Sequence, residues 1–308
     1  MTKKIILNSE ETDRYRYCLE LEAGNILFSP HIPFSFPQEE IDFLLAQRQG
    51  SSTSRKNIAY KPQLDQMTNH DSMDAEKSMR LKTILRSYSE RVAQYLTKIL
   101  SPYAKEWKLD YASFRPFQER GRKLRLRARN DLLHVDAFPT RPVHGSRILR
   151  FFTNIHPTES RKWITAQPFS DLMAQFGGSR GVSFPKGMNY SWMSRLQRKG
   201  KEKLRSLGLK LPLRSPYDHF MLKMHHFLKE NSEFQKNCPK DHWEFPSNSC
   251  WAVFTDQVSH AALSGQYALE QTFLIPQKAL LCPEKSPAAV LERISGRNLI
   301  DVEASALG

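Results

Sequence analysis

No stretch of about 18 apolar residues occurs in this 308-residue chain, so the sequence excludes a transmembrane helix. Cysteine is scarce: Cys18, Cys238, Cys250 and Cys282 lie far apart, without a CxxC pair. They read as reduced thiols of a cytosolic protein. The N-terminal MTKKIILNSEETDRYR turns acidic directly after a short apolar stretch, which is not the pattern of a signal peptide. No internal repeat, low-complexity block or aromatic-basic signature of the RRM kind is present. Glycine (13) is outnumbered by proline (18), which favours turns and short strands over a helical bundle.

What the chain has in excess is positive charge, a net +14. Such a surplus needs an anionic partner: nucleic acid, an anionic membrane surface, or an anionic small substrate. With 40% hydrophobic and 11% aromatic residues the chain is foldable, as one large domain or two modest ones.

The first 65 or so residues read as irregular, and Asp65 to Asp74 as a polar loop. From Ser78 to Leu100 the apolar residues Leu81, Ile84, Leu85, Tyr88, Val92, Leu96 and Ile99 have helical spacing, and Pro102 ends the run. From Leu109 the segments DYASFRPF, KLRLRA, DLLHVDAF and RILRFFTNI read as successive short strands. A mixed region over 158–248 holds helices near Pro168–Phe176 and Tyr217–Glu230. Strands return with SCWAVFTD, QVSHAALSG and YALEQTFLIP, and Ser286-Pro287 opens a last helix. The order of elements implies an α+β chain with a β-sandwich or barrel backed by helices. It divides into N-terminal support (1–108), first core strands (109–157), a helical basic insert (158–248), second core strands (249–280) and a C-terminal helix and tail (281–308).

On a strand, residues two apart share a face, so His134 and Asp136 project together. A buried carboxylate beside an imidazole needs a cation. Two readings satisfy this: an ion pair completed by Arg129 or Arg141, or a metal with a third ligand from a distant strand. His260 is the best-placed third ligand. Two imidazoles and one carboxylate would leave three positions open on Fe(II). His225 and His226, adjacent on a helix, diverge and read as core and surface instead.

The stretch HVDAFPTRPVHGSRILRFFTNIHP, with RKNIAYKP upstream, RKW at 161–163 and VSHAALSGQYALEQTF downstream, resembles the Kdo hydroxylase family. The similarity spans roughly Phe28 to Pro276. It implies an Fe(II)/2-oxoglutarate-dependent dioxygenase that hydroxylates C3 of the 3-deoxy-octulosonate (Kdo) sugar of the lipid A inner core, releasing succinate and CO2. It further implies a double-stranded β-helix (jelly-roll, cupin-like) core and matches His134, Asp136 and His260 to the iron ligands.

Many such enzymes carry an arginine about ten residues after the distal histidine; here that region reads Glu270-Gln271. The far carboxylate of 2-oxoglutarate then needs another cation. Arg147 and Arg150 lie nearest, on opposite strand faces, and Arg150 is favoured because Phe152 and Asn154 share its face. Trp163 and Gln266 are candidates for the pocket wall, and Arg141 and Arg161 for the sugar carboxylate. Eight lysines and arginines between 195 and 216, with leucines among them, suggest docking on an anionic membrane. The resulting expectation is a cytoplasmic protein, peripheral on the inner membrane, acting on a Kdo-containing lipid A glycolipid and O2. A JmjC-like protein or RNA hydroxylase and a non-enzymatic nucleic-acid binder are the rival readings.

Overall fold

The computed structural model describes residues 2–8, 11, 13–47, 57–70, 74–178, 181–182 and 213–300. Alternation of apolar residues builds two sheets. Eight strands form the larger: β1 (Lys4–Ile6), β2 (Ile26–Ser29), β3 (Ile58–Lys61), β4 (Gln66–Thr68), β5 (Lys108–Arg115), β6 (Arg147–Asn154), β9 (Cys250–Phe254) and β11 (Ala268–Ile275). Their order is β1-β2-β9-β6-β11-β5-β3-β4, antiparallel except for β1 with β2. The smaller sheet is β10-β7-β8, from Val258–Ser264, Arg161–Pro168 and Asp241–Phe245. DLLHVDAF, expected as a strand, forms only an isolated bridge, His134 to His260, which adds the HxD segment to the edge of this sheet.

Along β6 the two faces have separate fates. Leu149 and Phe151 pack with the helical side of the large sheet, where Ala75–Ile99 buries Leu81, Ile84, Leu85, Tyr88, Val92 and Leu96. Asp74 caps that helix through Lys77 N, and each apolar side chain so buried contributes about 1.5–3 kcal/mol. Ile148 and Phe152 face the opposite way, each into one of two clusters shared with the small sheet. In one, Phe245 stacks on Trp251 at 4.0 Å and Trp163 meets Trp251 edge-on. In the other, the helix Pro216–Glu230 buries Phe220, Met221, Met224 and Leu228 after a Ser215–Asp218 capping box.

Several expectations need correction. The N-terminal region carries β1, β2, β3 and two helices, and Gln66–Thr68 is a strand that pairs with β3. KLRLRA is no strand: cations at every second or third position leave it no apolar face to bury, and only Leu126–Ala128 forms a short 3-10 turn. The region 158–248 is not wholly an insert, because β7 and β8 within it belong to the small sheet. Most of the basic segment 195–216 lies outside the described residues. Among the described residues no helix is long and apolar enough to cross a membrane.

Candidate active site

His134 and Asp136 do share one face, with Nε2 of His134 3.6 Å from Oδ1 of Asp136. Both are buried. The bridge to β10 brings His260 alongside, its ring centroid 4.7 Å from that of His134. A third imidazole comes from the helix Pro216–Glu230: the His225 ring meets that of His134 at 4.9 Å. Donor atoms of His134, Asp136 and His225 all lie within 4.8 Å of one another.

The three imidazoles share one arrangement. Nδ1 lies 2.7 Å from the Leu132 carbonyl in His134, 2.8 Å from the Val135 carbonyl in His225, and 3.1 Å from the Val258 carbonyl in His260. A carbonyl only accepts, so each Nδ1 donates and each Nε2 keeps its lone pair for another partner. Backbone-oriented tautomers of this kind are how proteins present histidine to a metal. Burial holds all three imidazoles neutral: it lowers His134, lowers His225 far below the usual range, and brings His260 to about 3. Burial opposes ionisation of Asp136, yet the Arg150 guanidinium beside it outweighs that and holds the carboxyl well below its usual value. Oδ2 of Asp136 is buried and meets the Arg150 guanidinium as an ion pair outside hydrogen-bond geometry. Three neutral imidazoles with free Nε2 lone pairs around one ionised carboxylate fit a divalent cation.

Beside this cluster opens a cavity of about 790 Å³, walled by Arg150, Glu270, Thr272, Ser113, Tyr111 and Arg141 among others. Arg150 lies between cluster and cavity, with Nε 2.9 Å from Asp136 Oδ2 and Nη1 3.0 Å from Glu270 Oε1. Glu270 also takes bonds from Arg115, Ser113 and Thr272. Burial opposes its charge, but Arg150 and Arg115 together bring its carboxyl down to about 2. Arg141 pairs with Asp110 at 2.8 Å and stacks over Tyr111 and Phe138 at the cavity wall. Trp163 stacks on the His260 ring at 5.4 Å.

Other candidates from the sequence are engaged elsewhere. Arg147, fully buried on the opposite face of β6, binds Asp256 and Gln257. Arg161 is fully buried against Glu119 and the Gly265 carbonyl. The Asn154 amide donates to the carbonyls of Glu159, Phe245 and Pro246, and Gln266 donates to Pro116 O. Each of these four serves the backbone or a buried ion pair. Neither Arg129 nor Arg141 completes the His–Asp pair, since Arg129 binds Asp131. Two residues escaped the sequence reading: His225, and Glu270 as the counter-ion of Arg150. A lone carboxylate within the apolar ALEQTFLI was the available signal for the second.

Imidazoles and a carboxylate converging between the two sheets, separated by Arg150 from a cation-lined cavity, define a non-haem metal-dependent oxygenase. The family model for 3-deoxy-D-manno-oct-2-ulosonic acid (Kdo) hydroxylase matches residues 5–298, and the chain belongs to that family. Among solved structures it is similar to the Kdo hydroxylase KdoO, described as a non-heme Fe(II) alphaketoglutarate dependent dioxygenase. The identity is 34%, over 97% of this chain and 98% of that one, with a TM-score of 0.81 to the apo form. The TM-score is also 0.81 to KdoO in complex with alphaketoglutarate and Fe(III), and 0.82 to its cobalt(II) complex. Comparison with curated proteins gives no match.

Proposed function

We propose that this chain is an Fe(II)/2-oxoglutarate-dependent hydroxylase acting at C3 of the Kdo sugar of the lipid A inner core. The observation that carries the reading is the convergence of backbone-oriented imidazoles on Asp136, next to Arg150 and a cavity lined with cations. His134, Asp136 and His260 would hold the iron. His260 is preferred to His225 because strand pairing with the HxD segment fixes its place, while His225 reaches in from a helix. Bound Fe(II) supplies the activation of O2 that accompanies decarboxylation of 2-oxoglutarate to succinate and CO2.

The remaining chemistry is positioning. Arg150, on the cavity wall with the Thr272 hydroxyl, offers a fixed fork for the far carboxylate of 2-oxoglutarate. Arg141, clamped on Tyr111 and Phe138, would take the sugar carboxylate. Trp163 would hold the plane of His260 by stacking. Arg147, Arg161, Asn154 and Gln266 would act through the fold alone. The strand succession supports a double-stranded β-helix: β5-β11-β6-β9 in one sheet faces the HxD segment, β10, β7 and β8 in the other. A net charge of +14 suits an anionic glycolipid at an anionic membrane, which supports a cytoplasmic protein peripheral on the inner membrane. The test is 2-oxoglutarate turnover with Fe(II) and either Kdo-bearing lipid A or structured RNA. Stimulation by the glycolipid alone is expected; stimulation by RNA alone would overturn the reading.

A further inference from the structure

The cavity wall carries six cations: Arg115, Arg122, Lys123, Arg125, Arg141 and Arg150. Four are neutralised inside the protein. Arg150 and Arg115 share Glu270, Arg122 pairs with Glu119 at 3.2 Å, and Arg141 pairs with Asp110. Lys123 and Arg125 are exposed, and among the described residues neither has an ion pair. Their neighbours in the same segment are committed, Arg127 to Glu230 and Arg129 to Asp131.

The segment that carries them is fastened at both ends to the region of the distal histidine. Glu119 N donates to the Gly265 carbonyl, and Gln118 Oε1 accepts from Gly265 N at 2.6 Å. Ala262 N donates to Asn130 O at 2.8 Å, and Ala262 lies two residues after His260 on β10. Gly121, at φ +78, makes the turn between, where a residue with a Cβ would be strained. Two uncompensated charges are therefore held at the cavity wall by a fixed rim, a preorganised arrangement for an anion.

We propose that Lys123 and Arg125 form a second anion site, which takes a negatively charged group of the acceptor other than the carboxylate of the reacting sugar. The inference rests on the hydroxylase reading above and adds to it a requirement for a second charge. The chemistry suits a phosphate monoester or a second carboxylate on the neighbouring part of the glycolipid.

Three acceptors separate these sources: a Kdo glycoside with no other charge, the same glycoside bearing a phosphate, and the same bearing a second carboxylate. The wild-type enzyme should show a lower KM for at least one doubly charged acceptor. In the Lys123→Gln/Arg125→Gln variant that preference should fall by roughly tenfold, the scale of two exposed charge pairs. The acceptor whose advantage disappears identifies the group. An unchanged preference, or an equal rise in KM for the singly charged glycoside, would overturn the proposal. Calorimetric titration with inorganic phosphate at low salt tests the site without turnover: binding should weaken by roughly tenfold in the variant, and equal binding would overturn the site. If the wild-type enzyme oxidises none of the glycosides, the hydroxylase reading fails, while the titration still decides the rim site.

Discussion

Replacing Arg150 by alanine perturbs cosubstrate, metal and fold in three distinguishable ways. Its guanidinium touches Asp136 on one side and Glu270 on the other, and all three residues are shielded from solvent. Breaking a buried pair costs about 3–5 kcal/mol when one partner is stranded. Glu270 retains Arg115 and the hydroxyls of Ser113 and Thr272, so the cost should lie near the lower end. A charge-assisted bond to the far carboxylate of 2-oxoglutarate contributes about 1.4–2.8 kcal/mol, so its KM should rise roughly ten- to a hundredfold. Metal affinity should hold or increase, because Asp136 loses a competing cation. The assay is 2-oxoglutarate KM at saturating acceptor, with anaerobic Co(II) titration and urea unfolding alongside. Arg150→Lys should recover part of the KM, since it restores the charge without the fork. Arg147→Ala should destabilise the fold by stranding Asp256, with no specific change in cosubstrate KM. A folded Arg150→Ala enzyme with unchanged KM, or the same rise in Arg147→Ala, would refute the reasoning.

Alanine at His134 or Asp136 should abolish tight Fe(II) binding in anaerobic titrations, Asp136→Ala costing more because it removes the one anionic donor. His260→Phe should do likewise and His225→Phe should not; the reverse would make the helix the source of the third ligand. Gly265→Ala should cost about 1–3 kcal/mol in urea unfolding, because φ is +123 and a Cβ would meet Arg161 at 2.7–3.0 Å; an unmoved midpoint would mean that Arg161 yields freely. Glu270 titrates at about 2 instead of 4.5, so the unfolded chain takes up its proton first. Its contribution is complete above pH ~5 and lost as pH falls toward 2. The stability gap between wild type and Glu270→Gln, about 3 kcal/mol at neutral pH, should narrow over that window; a gap independent of pH would contradict the ion pair.

Elements with strong periodicity were legible in the sequence. The helix expected over Ser78–Leu100 runs Ala75–Ile99, and the helix before Glu230 begins at Pro216. The shared face of His134 and Asp136 was legible as well, although the segment is joined to β10 by the single His134–His260 bridge and is not a full strand. What escaped depended on tertiary placement. His225 lies 89 positions beyond Asp136, and only helix docking carries it to the cluster. Arg161 and Arg147 read as ligand-binding cations because their carboxylate partners, Glu119 and Asp256, are remote in sequence. β7 was hidden because RKWITAQP mixes cations with apolar residues and shows its alternation only beside β10.

The most direct measurement is mass spectrometry of Kdo-bearing lipid A after incubation with the enzyme, Fe(II), 2-oxoglutarate and isotopically labelled O2. One labelled oxygen on the Kdo sugar, with one succinate formed per product, is the expected result. Succinate formed without oxygen on the sugar, or a sugar left unchanged while another acceptor is oxidised, would contradict the assignment.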